Sequence, residues 1–121
     1  MKPLLLIAFV FFSSCAIQQY ELDYIRSIDE IKEVVLVRPD KNSSGKFAET
    51  KALSRDEIKQ LLNALDKAQA IGPTKFIPDY YIEFEQISSG NKRLKVNGTT
   101  IKGYDSDYSF KIEKLNFLEN F

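Results

Sequence analysis

The chain has 121 residues, 44% of them hydrophobic and 28% charged, with five Gly and four Pro. That balance sets one small globular domain and excludes collagen-like, low-complexity and disordered classes. The 17 Lys/Arg offset the 17 Asp/Glu, and no segment concentrates the basic residues, so nucleic acid is excluded as a partner on electrostatic grounds. There is no His and a single Cys, which removes the commonest general base, any internal disulfide and any cysteine-based zinc site.

In chain order, Lys2 is followed by an unbroken apolar run from Leu4 to Phe12 and then by Ser13, Ser14 and Cys15. As a helix the run rises only ~13 Å, against the ~30 Å of a bilayer core, so it does not span. Its length and order are those of a secretory signal peptide. The stretch Phe12-Ser13-Ser14-Cys15 resembles the lipobox of bacterial lipoprotein precursors. The resemblance covers residues 1–15 and implies diacylglyceryl transfer to the Cys15 thiol and cleavage just before it, with further acylation (palmitate or a similar chain) of the new amine. An alternative stays open, because Ser14-Cys15-Ala16 also has the small-x-small form of an ordinary signal peptidase site after Ala16. The favoured division is a signal peptide at 1–14, a lipidated Cys and tether at 15–30, and one α+β domain at 31–121. The implied place is the bacterial cell envelope, on a periplasmic or surface-facing membrane leaflet. A lipidated Cys15 also removes a free thiol that would be a liability in an exported protein.

Residues 16–30 read as a tether, although Tyr20, Leu22 and Tyr24 alternate in a way that would let the segment cover the core. Val34-Val35-Leu36-Val37 is strongly β-prone and predicts a strand over 32–38. Residues 39–45 form a turn-rich loop, and residues 46–52 return as the second strand of a hairpin. Ser54 and Glu57 have capping-box form, with Leu53 and Ile58 placed as a hydrophobic staple. Ile58, Leu61, Leu62, Leu65 and Ala68 then make one apolar stripe, and Gly72-Pro73 is a stop signal, so a helix is predicted over 55–70. Tyr80 to Ile87 alternate as a strand, with Tyr80, Ile82 and Phe84 on one face and Tyr81, Glu83 and Glu85 on the other. Asn97-Gly98 predicts a two-residue hairpin loop that sets Val96 opposite Thr99 and Leu94 opposite Ile101. Residues 103–107 are a turn and 108–112 a last strand, while 113–121 suits either a short helix or a strand. The sum is an α+β fold: an antiparallel sheet of about five or six strands, an N-terminal hairpin and a C-terminal meander, with one amphipathic helix on one face.

No catalytic signature stands out, and the sequence calls for no cofactor and no metal. Glu83 and Glu85 project from one strand face roughly 7 Å apart, a spacing a small envelope hydrolase could use. A solvated face with Lys or Arg opposite is the better reading. Asp105 and Asp107 could supply two oxygens to calcium, but the remainder of a calcium loop is missing, and a plain turn is preferred. Asn42-Ser43-Ser44 and Asn97-Gly98-Thr99 match a glycosylation sequon, which turn propensity explains. Most of the six Tyr and nine Phe fall on core positions. Tyr81, beside Glu83 and Glu85, is the exception and marks a candidate contact patch. The expected function is a non-enzymatic binding module of the envelope, with a membrane partner through its lipid and an envelope protein or cell-wall polymer as ligand. An inhibitor or immunity-like role is one variant, and a structural surface lipoprotein is a further alternative.

Overall fold

The computed structural model describes residues 21–39, 47–88 and 90–121. The signal-peptide and lipobox assignments, Cys15 among them, and the loop at 40–46 lie outside the described residues. The described residues form an α+β fold with one antiparallel sheet of seven strands. In chain order these are β1 (Ile31–Pro39), β2 (Phe47–Ala52), β3 (Gln69–Pro73), β4 (Tyr80–Gln86), β5 (Asn91–Asn97), β6 (Thr100–Gly103) and β7 (Tyr108–Lys111). Helix α1 (Arg55–Asp66) lies between β2 and β3, and a single helical turn, α2 (Asn116–Glu119), follows β7. The strand order across the sheet is β2-β1-β4-β5-β6-β7-β3.

The capping box forms as the sequence dictates. The Glu57 N–H donates to Ser54 Oγ at 3.2 Å and the Ser54 N–H donates to Glu57 Oε1 at 2.9 Å. The Ser54 N–H bond is the main cause that holds the Glu57 carboxyl below the usual carboxylate range. Ile58, Leu61, Ala64 and Leu65 are the buried stripe of α1, worth roughly 5–9 kcal/mol of apolar burial in its three large members. They meet Val34, Leu36, Ile82, Phe84, Leu94, Val96 and Ile101, all fully buried on the same face of the sheet. Leu22, Tyr24 and Ile25 join this core, with the Tyr24 ring 6.2 Å from that of Phe84. The described part of the segment read as a tether therefore covers the core.

Two expectations are corrected. Helix α1 ends at Asp66, and residues predicted to continue it pair instead as β3, giving one strand more than the sequence suggested. Gln69 and Ala70 face Lys111 and Phe110 of β7, so strand hydrogen bonds to an otherwise unpaired edge replace the last turn of helix. The bulge between Ala70 and Gly72 is accommodated by a positive φ of 117° at Gly72. The second correction is the register of the β5–β6 hairpin. Asn97 faces Thr100, Val96 faces Ile101 and Leu94 faces Gly103. Only Gly98 has positive φ, at 61°, so the loop is Gly98-Thr99 with the glycine at the first central position, the type II′ arrangement. Asn97 stays in the strand because its side-chain amide donates to the Ile77 carbonyl at 2.9 Å. The slip moves each partner by two residues, so every side chain keeps its face.

Segment 74–79 joins β3 at one edge to β4 across three intervening strands. It runs over the face opposite α1. Lys102, only 4% exposed, donates from Nζ to the Thr74 carbonyl at 3.1 Å and lies 4.5 Å from the centroid of the Phe76 ring. The Thr74 and Ser109 hydroxyls are hydrogen-bonded to each other. The Thr74 N–H donates to Asp107 O and the Asp79 N–H to Val96 O. At the other end of the sheet, Tyr80 packs edge-on against Phe121 with centroids 5.4 Å apart, and Arg38 donates to the Phe121 carbonyl.

Replacing Lys102 by Met leaves the Thr74 carbonyl without its donor. We expect the amides of Thr74 and Asp79 to exchange hydrogen at least ~5-fold faster, with smaller change in β4 and β5, as read by hydrogen exchange and mass spectrometry. Burial pushes the Tyr80 phenol up to about 12, opposed by Arg38 and reinforced by Asp79. An unfolded tyrosine ionises near 10. Neutral Tyr80 therefore favours the fold fully below pH 10, and that contribution is lost as pH rises from 10 towards 12. Urea denaturation at rising pH should show Tyr80→Phe losing less stability than wild type across that window.

Candidate functional site

Register fixes which side chains share the face opposite α1. Val37 faces Tyr81, Tyr81 faces Lys95, Lys95 faces Lys102 and Lys102 faces Ser109, so these form one row across the sheet. In the next row Val35 faces Glu83 and Glu83 faces Arg93. The strap at 74–79 closes the β6–β7 end of the first row. Of the remainder, Val37 is buried while Tyr81 and Lys95 are part-exposed, and Tyr81 belongs to the predicted patch.

Tyr81, Glu83 and Glu85 lie together on this face, as alternation required. Their surroundings add what the sequence left open. Arg93 Nη2 donates to Glu83 Oε2 at 2.9 Å, and the Asn91 side-chain amide donates to Glu83 Oε1 at 3.2 Å. Both carboxylate oxygens of Glu83 are thereby engaged. Glu85 pairs instead with Lys32, at 3.6 Å. The expected basic residue opposite the carboxylates is thus Arg93, and it belongs to Glu83 alone, since Glu85 faces Asn91 and Glu33.

The Arg93 guanidinium carbon also lies 5.5 Å from the centroids of both the Tyr81 and the Tyr104 rings, whose own centroids are 6.2 Å apart. Lys95 Nζ lies 5.1 Å from the Tyr104 centroid. Such contacts supply ~0.5–1 kcal/mol each at exposed positions, enough to fix ring orientation. Tyr104 is nevertheless 47% exposed. Its place follows from the backbone, because the Tyr104 N–H donates to the Arg93 carbonyl at 3.2 Å and extends the β5–β6 pairing by one step into the turn.

Beside this cluster runs an open groove of about 560 Å³, bordered by Glu83, Asn91, Arg93, Tyr104, Asp105 and Ser106, with Asp23 and Lys92 at its N-terminal side. Asp23 and Lys92 form an ion pair. The Asp105–Asp107 turn is internally tied, its Ser106 Oγ accepting from the Tyr108 N–H at 3.1 Å. No group of three or more acidic or Cys side chains able to hold a metal occurs among the described residues.

The sequence named Tyr81, Glu83 and Glu85 and did not name Arg93 and Tyr104, which the structure places beside Tyr81 and Glu83. The signal was present in part: Arg93 and Lys95 alternate with Leu94 and Val96. Their register against β4 depends on how β4 and β5 pair, which no local rule fixes. Glu85 does not line the groove, which lies towards β5 and the turn after β6 rather than along β4, where the sequence placed the patch.

Replacing Arg93 by Ala removes the link between the two rings and the partner of Glu83. The loss of global stability should stay under ~1 kcal/mol, since the pair is partly exposed. Tyr104 should become more reactive toward tetranitromethane than in wild type, as mapped by peptide mass spectrometry. Unchanged nitration at Tyr104 would show that Arg93 does not hold the ring. No family model, curated protein or solved structure matches this chain.

Proposed function

We propose that the mature chain is a non-enzymatic binding module, held on the envelope membrane by a lipid on Cys15, that meets its partner with the open half of the helix-free sheet face. The observation that carries this reading is Arg93 placed 5.5 Å from the rings of both Tyr81 and Tyr104 at the edge of a groove. Tyr and Arg are the side chains enriched where surfaces bind, because they offer area and directed polar groups with little freedom to lose. Here the ring contacts and the Glu83 pair fix the guanidinium before any partner arrives, which lowers the ordering cost of association. The carboxylates of the hydrolase alternative do not share this arrangement, since Glu83 is committed to Arg93 and Asn91 and Glu85 to Lys32.

The anchor constrains how the face is presented. From Cys15 to Leu22 the chain spans at most ~25 Å, and Leu22 is buried in the core. A lipid on Cys15 keeps the domain within that reach of the bilayer, with Asp23 marking the near end of the groove. Two or three acyl chains, at ~0.8 kcal/mol per buried CH₂, would make that attachment stable.

Two measurements test the reading separately. Metabolic labelling of cells with a fatty-acid probe should mark the wild-type chain and not Cys15→Ala; equal labelling of both would remove the anchor. A photocrosslinking residue at position 104 of the full chain should give discrete adducts in cells that the same residue at position 59, on the exposed side of α1, does not give. Indistinguishable patterns from the two positions would remove the contact face.

A further inference from the structure

The groove is built for a particular class of ligand. We propose that it takes a neutral, polyhydroxylated ligand, an oligosaccharide segment, with Tyr104 as the stacking platform; this rests on the reading of the face as a contact surface. Three features of the site carry the inference.

The first is charge. Asp23, Glu83 and Asp105 line the groove with Lys92 and Arg93. Both lining bases and two of the three acids are already paired, Glu83 with Arg93 and Asp23 with Lys92. An anionic ligand would have to break one of these pairs to gain a lining base of its own, which cancels most of the benefit.

The second is the absence of an aliphatic floor. Among the described residues no Leu, Ile, Val or Met side chain lines the groove, whereas a protein partner needs a desolvated apolar centre around its anchor residues. The apolar surface on offer is the exposed ring of Tyr104, braced against Tyr81. A flat ring of that kind suits the C–H face of a pyranose and leaves the hydroxyls free to reach polar groups around it.

The third is the polar set itself. The Asn91 amide, the Arg93 guanidinium, the Ser106 hydroxyl and the Glu83 and Asp105 carboxylates offer donors and acceptors side by side. Hydroxyl groups both donate and accept, so they satisfy such a mixed border where a carboxylate, phosphate or ammonium would satisfy half of it. A paired carboxylate keeps lone pairs free for a hydroxyl donor while its ion pair fixes its position.

The test uses the full chain in a non-glycosidic detergent, titrated with chitotriose, cellotriose and maltotriose and followed by nitrogen–proton correlation NMR. At least one of these should cause saturable shifts confined to the Asn91 side chain, Arg93 and the turn at 103–106, with a dissociation constant of ~1 mM or tighter. Tyr104→Ala should weaken that binding at least ~10-fold, while Lys59→Ala on α1 leaves it unchanged. A uronic-acid trisaccharide that binds ~10-fold tighter than every neutral sugar would overturn the neutral class. No saturable shift with any neutral sugar would overturn the proposal. In that case adducts from position 104 to a protein would leave the contact face standing, and their absence would remove both.

Discussion

The topology of this sheet hangs on one length constraint. β3 lies at the far edge, beside β7, and β4 lies against β1, so the chain must cross β7, β6 and β5 between Pro73 and Tyr80. Four strand spacings and the offset along the strands demand about 20 Å, and the seven steps from Pro73 to Tyr80 can extend to ~24 Å. There is no slack to pass around the end of the sheet. With α1 and residues 22–25 covering one face, the extended connection goes over the other. A backbone laid across a sheet must satisfy its own polar groups, and Lys102, Asp107, Val96 and Asn97 supply partners for it.

That crossing divides the helix-free face into two halves with different chemistry. Under the strap, Lys102 is buried with a carbonyl and an aromatic ring for company, a structural use of a charged side chain. Beyond the strap, Tyr81 and Lys95 of the same row are part-exposed, and polar side chains of the neighbouring row pair with each other across strands. Glu83, Arg93 and Asn91 form a network held by two neighbouring strands, and the guanidinium sits beside the Tyr81 and Tyr104 rings. Rigid strands position this set better than a loop would, and the network costs little to maintain because water still reaches it.

Several elements were legible because short-range physics decides them. Ser54 with Glu57, Leu53 with Ile58 and the stripe from Ile58 to Leu65 start α1 and choose its buried face without reference to anything distant. Alternation in 80–87 and 93–96 sorted core from surface on β4 and β5, so Tyr81, Glu83 and Glu85 were assigned to the right face. The errors have a common origin. The helix-favouring run into Gln69 and Ala70 yields to the unpaired edge of β7, a partner about forty residues away in the chain. Asn97-Gly98 looks like a loop pair until the Ile77 carbonyl claims the Asn97 amide. Tyr104 sits in a turn whose composition predicts only a turn, and its ring has a neighbour because β6 carries it to Arg93.

The sequence by itself determined the α+β class, the one amphipathic helix and its N-terminal cap, and the two faces of the central strands. These follow from periods of 3.6 and 2 and from spacings of a few residues, which any reader of the chain can count. Only the tertiary structure decided the seventh strand, the path of the strap, the burial of Lys102 and the meeting of Tyr81, Arg93 and Tyr104. Each of these depends on which strand lies beside which and in what register. Pairing of that kind is set by the closing of the whole sheet, and no window of sequence contains both partners.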